Sequence, residues 1–202
     1  MRNLPAPTRK ILKSYSIVLA SASPRRALLI KKIPWLRATV FPSGESELPH
    51  TGEDPARYAE RNAERKAEWV FERTGGVVLG ADTVVALGGE VFGKPKSEAD
   101  AERMLRALCG HTHTVITGFC IRAEAQKKVS HEVTRVTFKA YDEQIVRAYI
   151  QSGAPLDKAG AYGLQDPLLR SLIAAVEGDE DNVIGLPVRA IGEVLKEIYK
   201  WQ

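Results

Sequence analysis

The sequence predicts a single α/β domain: a mixed β-sheet flanked by helices. Three observations carry that expectation. Short apolar runs alternate with amphipathic stretches along the whole chain. Some neighbouring extended runs are joined by hairpin signals, which a purely parallel sheet does not use. A chain of 202 residues, 44% hydrophobic and 27% charged, also suits one well-filled core.

The elements follow in order. Ile17-Val18-Leu19-Ala20 is the short apolar run of a buried strand. Ser23 offers an N-cap and Pro24 the first helical position, so residues 25–32 read as a helix. Val40-Phe41 marks a second strand, and residues 42–53, with Pro42, Gly44, Pro49 and Gly52, read as a loop. Asp54-Pro55 repeats the cap signal. The helix 55–73 then puts Ala56, Ala59, Ala63, Ala67 and Val70 on one face, and Gly75-Gly76 stops it.

Val77 to Gly80 reads as a central strand that continues through Asp82 and Thr83 to Leu87, where Gly88-Gly89 turns it into Glu90-Val91-Phe92. Ser97 caps a helix with Ala101, Met104, Leu105 and Leu108 inward and Gly110 as its stop. Residues 113–122 and 129–138 are two longer strands around the polar turn 124–128. Asp142 caps a helix with Ile145, Val146, Tyr149 and Ile150 on its apolar side. Residues 168–176 form either a strand or a short helix, because periodicity does not separate the two over so short a run. Pro187 opens the last helix, with Ile191, Val194, Leu195 and Ile198 inward.

Composition excludes several classes of function. No apolar run approaches the roughly 20 residues that cross a bilayer, so no membrane partner is expected. The basic N-terminus lacks the apolar segment and cleavage site of a secretion signal. Cys109 and Cys120 fit neither a CxxC redox pair nor a zinc knuckle, and two ordinary thiols suit a reducing cytoplasm. Residues 1–44 carry nine Lys and Arg and no acid, in a chain of net charge +4. Four of those cations fall in the first 13 residues, so residues 1–14 read as a flexible basic arm and 15–202 as the folded domain. The chain lacks the basic stripe with interleaved aromatics of a nucleic-acid binder, and no nucleic-acid partner is expected.

Four stretches carry reactive groups. In Leu19-Ala20-Ser21-Ala22-Ser23-Pro24-Arg25-Arg26, a strand runs through a serine turn into a helix start, gathering hydroxyls, guanidiniums and helix N–H groups that match a phosphate. The alternative is a capped surface helix with two solvated arginines. In Gly80-Ala81-Asp82-Thr83 a carboxylate at a strand end could bind a divalent cation or orient a water, or could simply form an Asx turn. Lys94, between Gly93 and Pro95, sits on a stiff turn. In residues 160–166, Gln165 could read a base edge and Asp166 could join Asp82 at a metal. The acidic run 177–181 lacks EF-hand spacing and reads as solvated. His111 and His113 read as a polar cap rather than as metal ligands.

Taken together and in order, these pieces resemble the Maf family, also called septum formation inhibitor proteins. The matching stretches are LASASPRR at 19–26, a loop glutamate at Glu47, AERNAERKA at 59–67, GADTVV at 80–85, GKP at 93–95, LCGHTHTVITG at 108–118, PLDKAGAYGLQD at 155–166 and NVIGLP at 182–187. The resemblance implies an elongated mixed sheet similar to that of inosine triphosphate pyrophosphatases. It implies hydrolysis of a nucleoside triphosphate to the monophosphate and pyrophosphate with a divalent cation, Mg2+ or Mn2+, and it implies a homodimer. It also assigns roles: Asp82 as general base, metal ligand or both; Glu47 as a second metal ligand; Ser21, Arg25, Arg26, Lys66 and Lys94 on the triphosphate; Thr83 and Gln165 on the base. Arg26, Thr83 and Gln165 together look like the dTTP/UTP-preferring branch. The alternatives are a 7-methyl-GTP pyrophosphatase and a nucleotide-binding regulator of division that needs no turnover. Ser46 stands where the family loop usually carries a second acid, and Asp166-Pro167-Leu168-Leu169 replaces the small residues that usually follow Gln165.

Overall fold

The computed structural model describes residues 15–46 and 52–200. The basic arm and the expected metal ligand Glu47 lie outside the described residues. Seven strands form one sheet: β1 (Tyr15–Leu19), β2 (Leu36–Val40), β3 (Val78–Leu87), β4 (Glu90–Phe92), β5 (Thr112–Ala123), β6 (Gln126–Phe138) and β7 (Ile173–Glu177). The order is β2-β1-β3-β5-β6-β7, with β4 paired to β3. β1 runs parallel to β2 and β3, and every other pairing is antiparallel. This is the expected mixed sheet.

The local signals act as read. Ser23 caps α1 (Pro24–Leu29), which tightens into a 3-10 turn over Ile30–Lys32. Asp54 caps the 20-residue α2 (Pro55–Thr74) by accepting from the N–H groups of Ala56 and Arg57. Its buried stripe is Ala59, Ala63, Ala67 and Val70, joined by Asn62. Ser97 caps α3 (Glu98–Leu108) and Asp142 caps α4 (Glu143–Gln151). Gly88 and Gly89 both take positive φ in the β3–β4 turn, a conformation glycine adopts without steric cost.

Helix α2 lies on one face of the sheet in unusually close contact. A β-carbon on Gly80 would stand 2.2 Å from the Ala63 carbonyl oxygen, and one on Gly118 would stand 2.4 Å from the Ala59 carbonyl carbon. Only glycine lets the helix backbone come this near. The opposite face is covered by α7 (Val188–Lys200), whose Ile191, Leu195 and Ile198 pack on Ile17, Leu19, Leu79, Phe119 and Ile121. A second core, built on α3, α4 and the far ends of β3, β5 and β6, holds Phe92, Leu105, Phe138 and Tyr149.

Some expectations change. The second strand covers Leu36–Val40 and ends before Phe41. The turn between β5 and β6 is Glu124-Ala125 alone, because the ladder extends to Ala123 paired with Gln126. Residues 168–176 contain both candidates: a one-turn helix α5 (Pro167–Arg170), then β7. The acidic run is not simply solvated: Asp179 caps α6 (Glu180–Ile184), and Asp181 accepts from Lys32 at 2.5 Å. His113 is no polar cap. It is buried in β5 with its Nε2 2.8 Å from the Tyr162 hydroxyl.

Candidate active site

A cavity of about 370 Å³ opens where the chain leaves β1. β1 contacts β3 only at Val78 and Leu79, and β4 engages β3 only from Val85 to Leu87. Between them β3 has no strand on that side among the described residues, and the cavity occupies the gap. Successive side chains of a strand point to opposite faces. Asp82 therefore faces α2, while Thr83 faces the side of α6 and Arg26. The gap lets one cavity reach both.

Ser21, Arg25, Arg26, Lys66, Asp82, Thr83, Lys94 and Gln165 all line this cavity. Asp82 is only 4% exposed. Its Oδ1 accepts from Lys66 Nζ at 2.6 Å, and its Oδ2 accepts from Asn62 Nδ2 at 3.3 Å. Asn62 and Lys66 stand one turn apart on the same face of α2, and the glycines beneath the helix let that face reach the strand. A buried carboxylate so held keeps its orientation.

Arg26 is fixed on the other side. It donates from Nε to Gly185 O at 2.8 Å, from Nη2 to Thr83 Oγ1 at 2.9 Å and from Nη1 to Ser21 Oγ at 3.3 Å. The serine turn uses its own donors internally: the Ser23 N–H goes to Ser21 Oγ and the Arg26 N–H to Ser23 Oγ. With α1 only six residues long, side-chain cations rather than a helix dipole supply the positive charge. Arg25 reaches Asp157 at the rim, with Nη1 2.6 Å from Oδ2. Burial works against the charged Asp157, but hydrogen bonds from Arg25 and Lys158 outweigh it and hold the carboxyl below its ordinary range.

Among the described residues, five basic side chains (Arg25, Arg26, Lys66, Lys94 and Lys158) line the cavity against three acids (Glu45, Asp82 and Asp157). The surplus is positive, which suits a polyanion. Among the described residues, no three His, Cys, Asp or Glu side chains gather as a metal cage. Asp82 and Glu45 instead offer two hard oxygen donors in a pocket that would also admit phosphate oxygens, the mixed donor set that Mg2+ commonly takes.

Asp166 does not join Asp82. Its Oδ2 accepts from the Tyr149 hydroxyl at 2.6 Å and stands 3.5 Å from Lys158 Nζ, outside the cavity lining, so it braces the 158–166 loop. Sequence reasoning missed Asn62, Lys158 and Thr117, and it set Glu45 aside as unable to replace the family's second loop acid. Asn62 was findable, four residues before Lys66 on one helix. Glu45 lines the cavity and pairs with Arg65. Thr117 is set against Thr83 only by the β3–β5 register, which no local signal reports.

Comparison with known proteins places this architecture. The family model described as Maf-like protein matches residues 16–198. The chain belongs to the Maf-like family. Among relatives of this Maf-like chain is the dTTP/UTP pyrophosphatase of Koribacter versatilis (strain Ellin345), 42% identical over 181 residues, or 89% of this chain and 93% of that protein. Another is the dTTP/UTP pyrophosphatase of Thermococcus kodakarensis, 43% identical over 185 residues, or 90% and 96%. In fold, the Maf-like chain is similar to the Staphylococcus aureus Ham1 protein, with a TM-score of 0.52 at 17% identity over 90% of this chain and 98% of that one.

Proposed function

We propose that this chain is a nucleoside triphosphate pyrophosphatase acting on dTTP and UTP. The observation that carries the reading is the single cavity in which the buried Asp82, held by Lys66 and Asn62, meets the cations Arg25, Arg26 and Lys94. The dTTP/UTP pyrophosphatases at 42–43% identity support the same substrate class.

Water attacks the α-phosphorus, the bond from that phosphorus to the bridging oxygen breaks, and pyrophosphate leaves. Asp82 orients the water and takes its proton. Each carboxylate oxygen has two lone pairs, so Asp82 can serve more than one donor per oxygen, a water among them. Ser21, Arg25, Arg26, Lys66 and Lys94 hold the triphosphate and offset the charge that moves onto pyrophosphate. Thr83 and Gln165 read the base. Asp82, Glu45 and Glu47 would hold a divalent cation together with the phosphates. When bound, such a cation neutralises phosphate charge and makes a water more acidic.

The test is a panel of nucleoside triphosphates, 7-methyl-GTP included, incubated with Mg2+ or Mn2+ and scored for monophosphate and pyrophosphate. Release of both from dTTP and UTP is expected. Binding without turnover would favour a regulator instead, and preferential cleavage of 7-methyl-GTP would overturn the substrate assignment.

A further inference from the structure

Behind the cavity wall, the hydrogen bonds dictate which way one hydroxyl points. Arg26 Nη2 is 2.9 Å from Thr83 Oγ1, Thr83 Oγ1 is 3.0 Å from Thr117 Oγ1, and Thr117 Oγ1 is 3.0 Å from the carbonyl oxygen of Asn182. A guanidinium only donates, a carbonyl only accepts, and each threonine has one hydroxyl proton. Only one direction makes all three short contacts hydrogen bonds at once: Arg26 donates to Thr83, Thr83 to Thr117, and Thr117 to the Asn182 carbonyl. The other acceptor near the Thr83 hydroxyl, Gly185 O, lies at 3.5 Å, the outer limit for a hydrogen bond. Thr83 lines the cavity with its proton turned inward and one lone pair left over.

We propose that Thr117 is a positioning residue for base selection. By taking the Thr83 proton, it makes Thr83 a pure acceptor towards the ligand. That contact suits the N3–H of uracil and thymine. It repels cytosine, whose N3 carries a lone pair at the same place. Thr117 itself is fully buried and does not line the cavity, so its effect passes through Thr83. The inference rests on the reading that dTTP and UTP bind here with the base against Thr83.

The experiment compares Thr117→Val, Thr117→Ser and the wild type, reading kcat/KM for UTP and for CTP beside a thermal melt. Valine is nearly the same shape but accepts no proton, which frees the Thr83 hydroxyl to donate to cytosine. The Asn182 carbonyl keeps the Gly185 N–H at 3.0 Å, so the wall retains a bond there. The wild type is expected to prefer UTP, Thr117→Ser to keep that preference, and Thr117→Val to lower the UTP/CTP ratio about tenfold, the worth of one neutral hydrogen bond. Thr117→Ala gives the same readout if the valine variant does not fold. A proportional fall for both substrates, an unchanged ratio, or a wild type indifferent to CTP overturns the inference while leaving the pyrophosphatase reading intact. A wild type that cleaves neither UTP nor dTTP overturns both.

Discussion

Lys66 Nζ stands 2.6 Å from Asp82 Oδ1, an ion pair between a helix and a strand with both side chains nearly buried. The pair is asymmetric in use. Removing either side chain would leave the other's polar group buried without this partner, which is costly. A triphosphate entering the cavity brings anionic oxygens that Lys66 can also serve.

Asp82→Asn is expected to lower turnover of UTP by about 100-fold or more, the usual scale for losing a general base, with a smaller effect on KM. A cooperative melt shows that the fold survives. Full activity in that variant removes Asp82 from its assigned role.

Gly118→Ala should damage the site without altering any of its polar side chains. Its β-carbon would sit 2.4 Å from both the Ala59 carbonyl carbon and the Glu60 nitrogen, so α2 must move, at a cost of about 1–3 kcal/mol. Asn62 and Lys66 ride on that helix. Both the melting temperature and kcat are expected to fall, and retention of both would mean that α2 does not hold Asp82 in place.

Asp157→Asn removes a negative charge from the rim and breaks the 2.6 Å ion pair with Arg25, leaving Arg25 its bond to the Asp157 backbone carbonyl at 3.1 Å. The KM for UTP should fall severalfold at low salt, and the gain should shrink as salt is added. A higher KM would show instead that Asp157 orients Arg25 for the substrate.

Stability should also fall in mild acid because of His113. Burial pushes its imidazole down to about 4 from an ordinary 6.5. The unfolded chain therefore binds a proton that the folded one refuses between those values. Stability is full above about pH 6.5 and is lost as pH falls towards 4, by about 3 kcal/mol for this group. Urea midpoints at pH 7 and pH 4.5 measure it. His113→Gln should show a smaller drop than the wild type, and an equal drop would assign the acid sensitivity to other groups.

Chelation of divalent cations should abolish pyrophosphate release, and added Mg2+ should restore it. Activity that survives exhaustive chelation would exclude a cation from the proposed chemistry.

Much of this architecture was legible because its signals are local. Ser23-Pro24 and Asp54-Pro55 announce helices whatever lies around them, and the alanine stripe of α2 names its buried face. The gathering of Ser21, Arg26, Asp82 and Gln165 was legible only through the family resemblance. What stayed hidden depends on distant parts of the chain. Helix α6 spans five residues, too few to show a period. Asp166 looks like a ligand in sequence because its partner Tyr149 lies 17 residues earlier, on α4. Adjacent residues on a strand should serve opposite faces, so nothing near Asp82 and Thr83 tells that one cavity reaches both. That depends on where β1 stops and β4 begins.

The break in pairing along β3 also has a use in inhibitor chemistry. From Gly80 to Val84, no strand among the described residues lies beside β3 on its cavity side. A flat, amide-edged scaffold could seat itself there as a surrogate strand, sending one substituent above the sheet towards Asp82 and another below it towards Thr83. Affinity would then come from backbone complementarity. Such a compound would need little of the charge that keeps phosphate mimics out of cells.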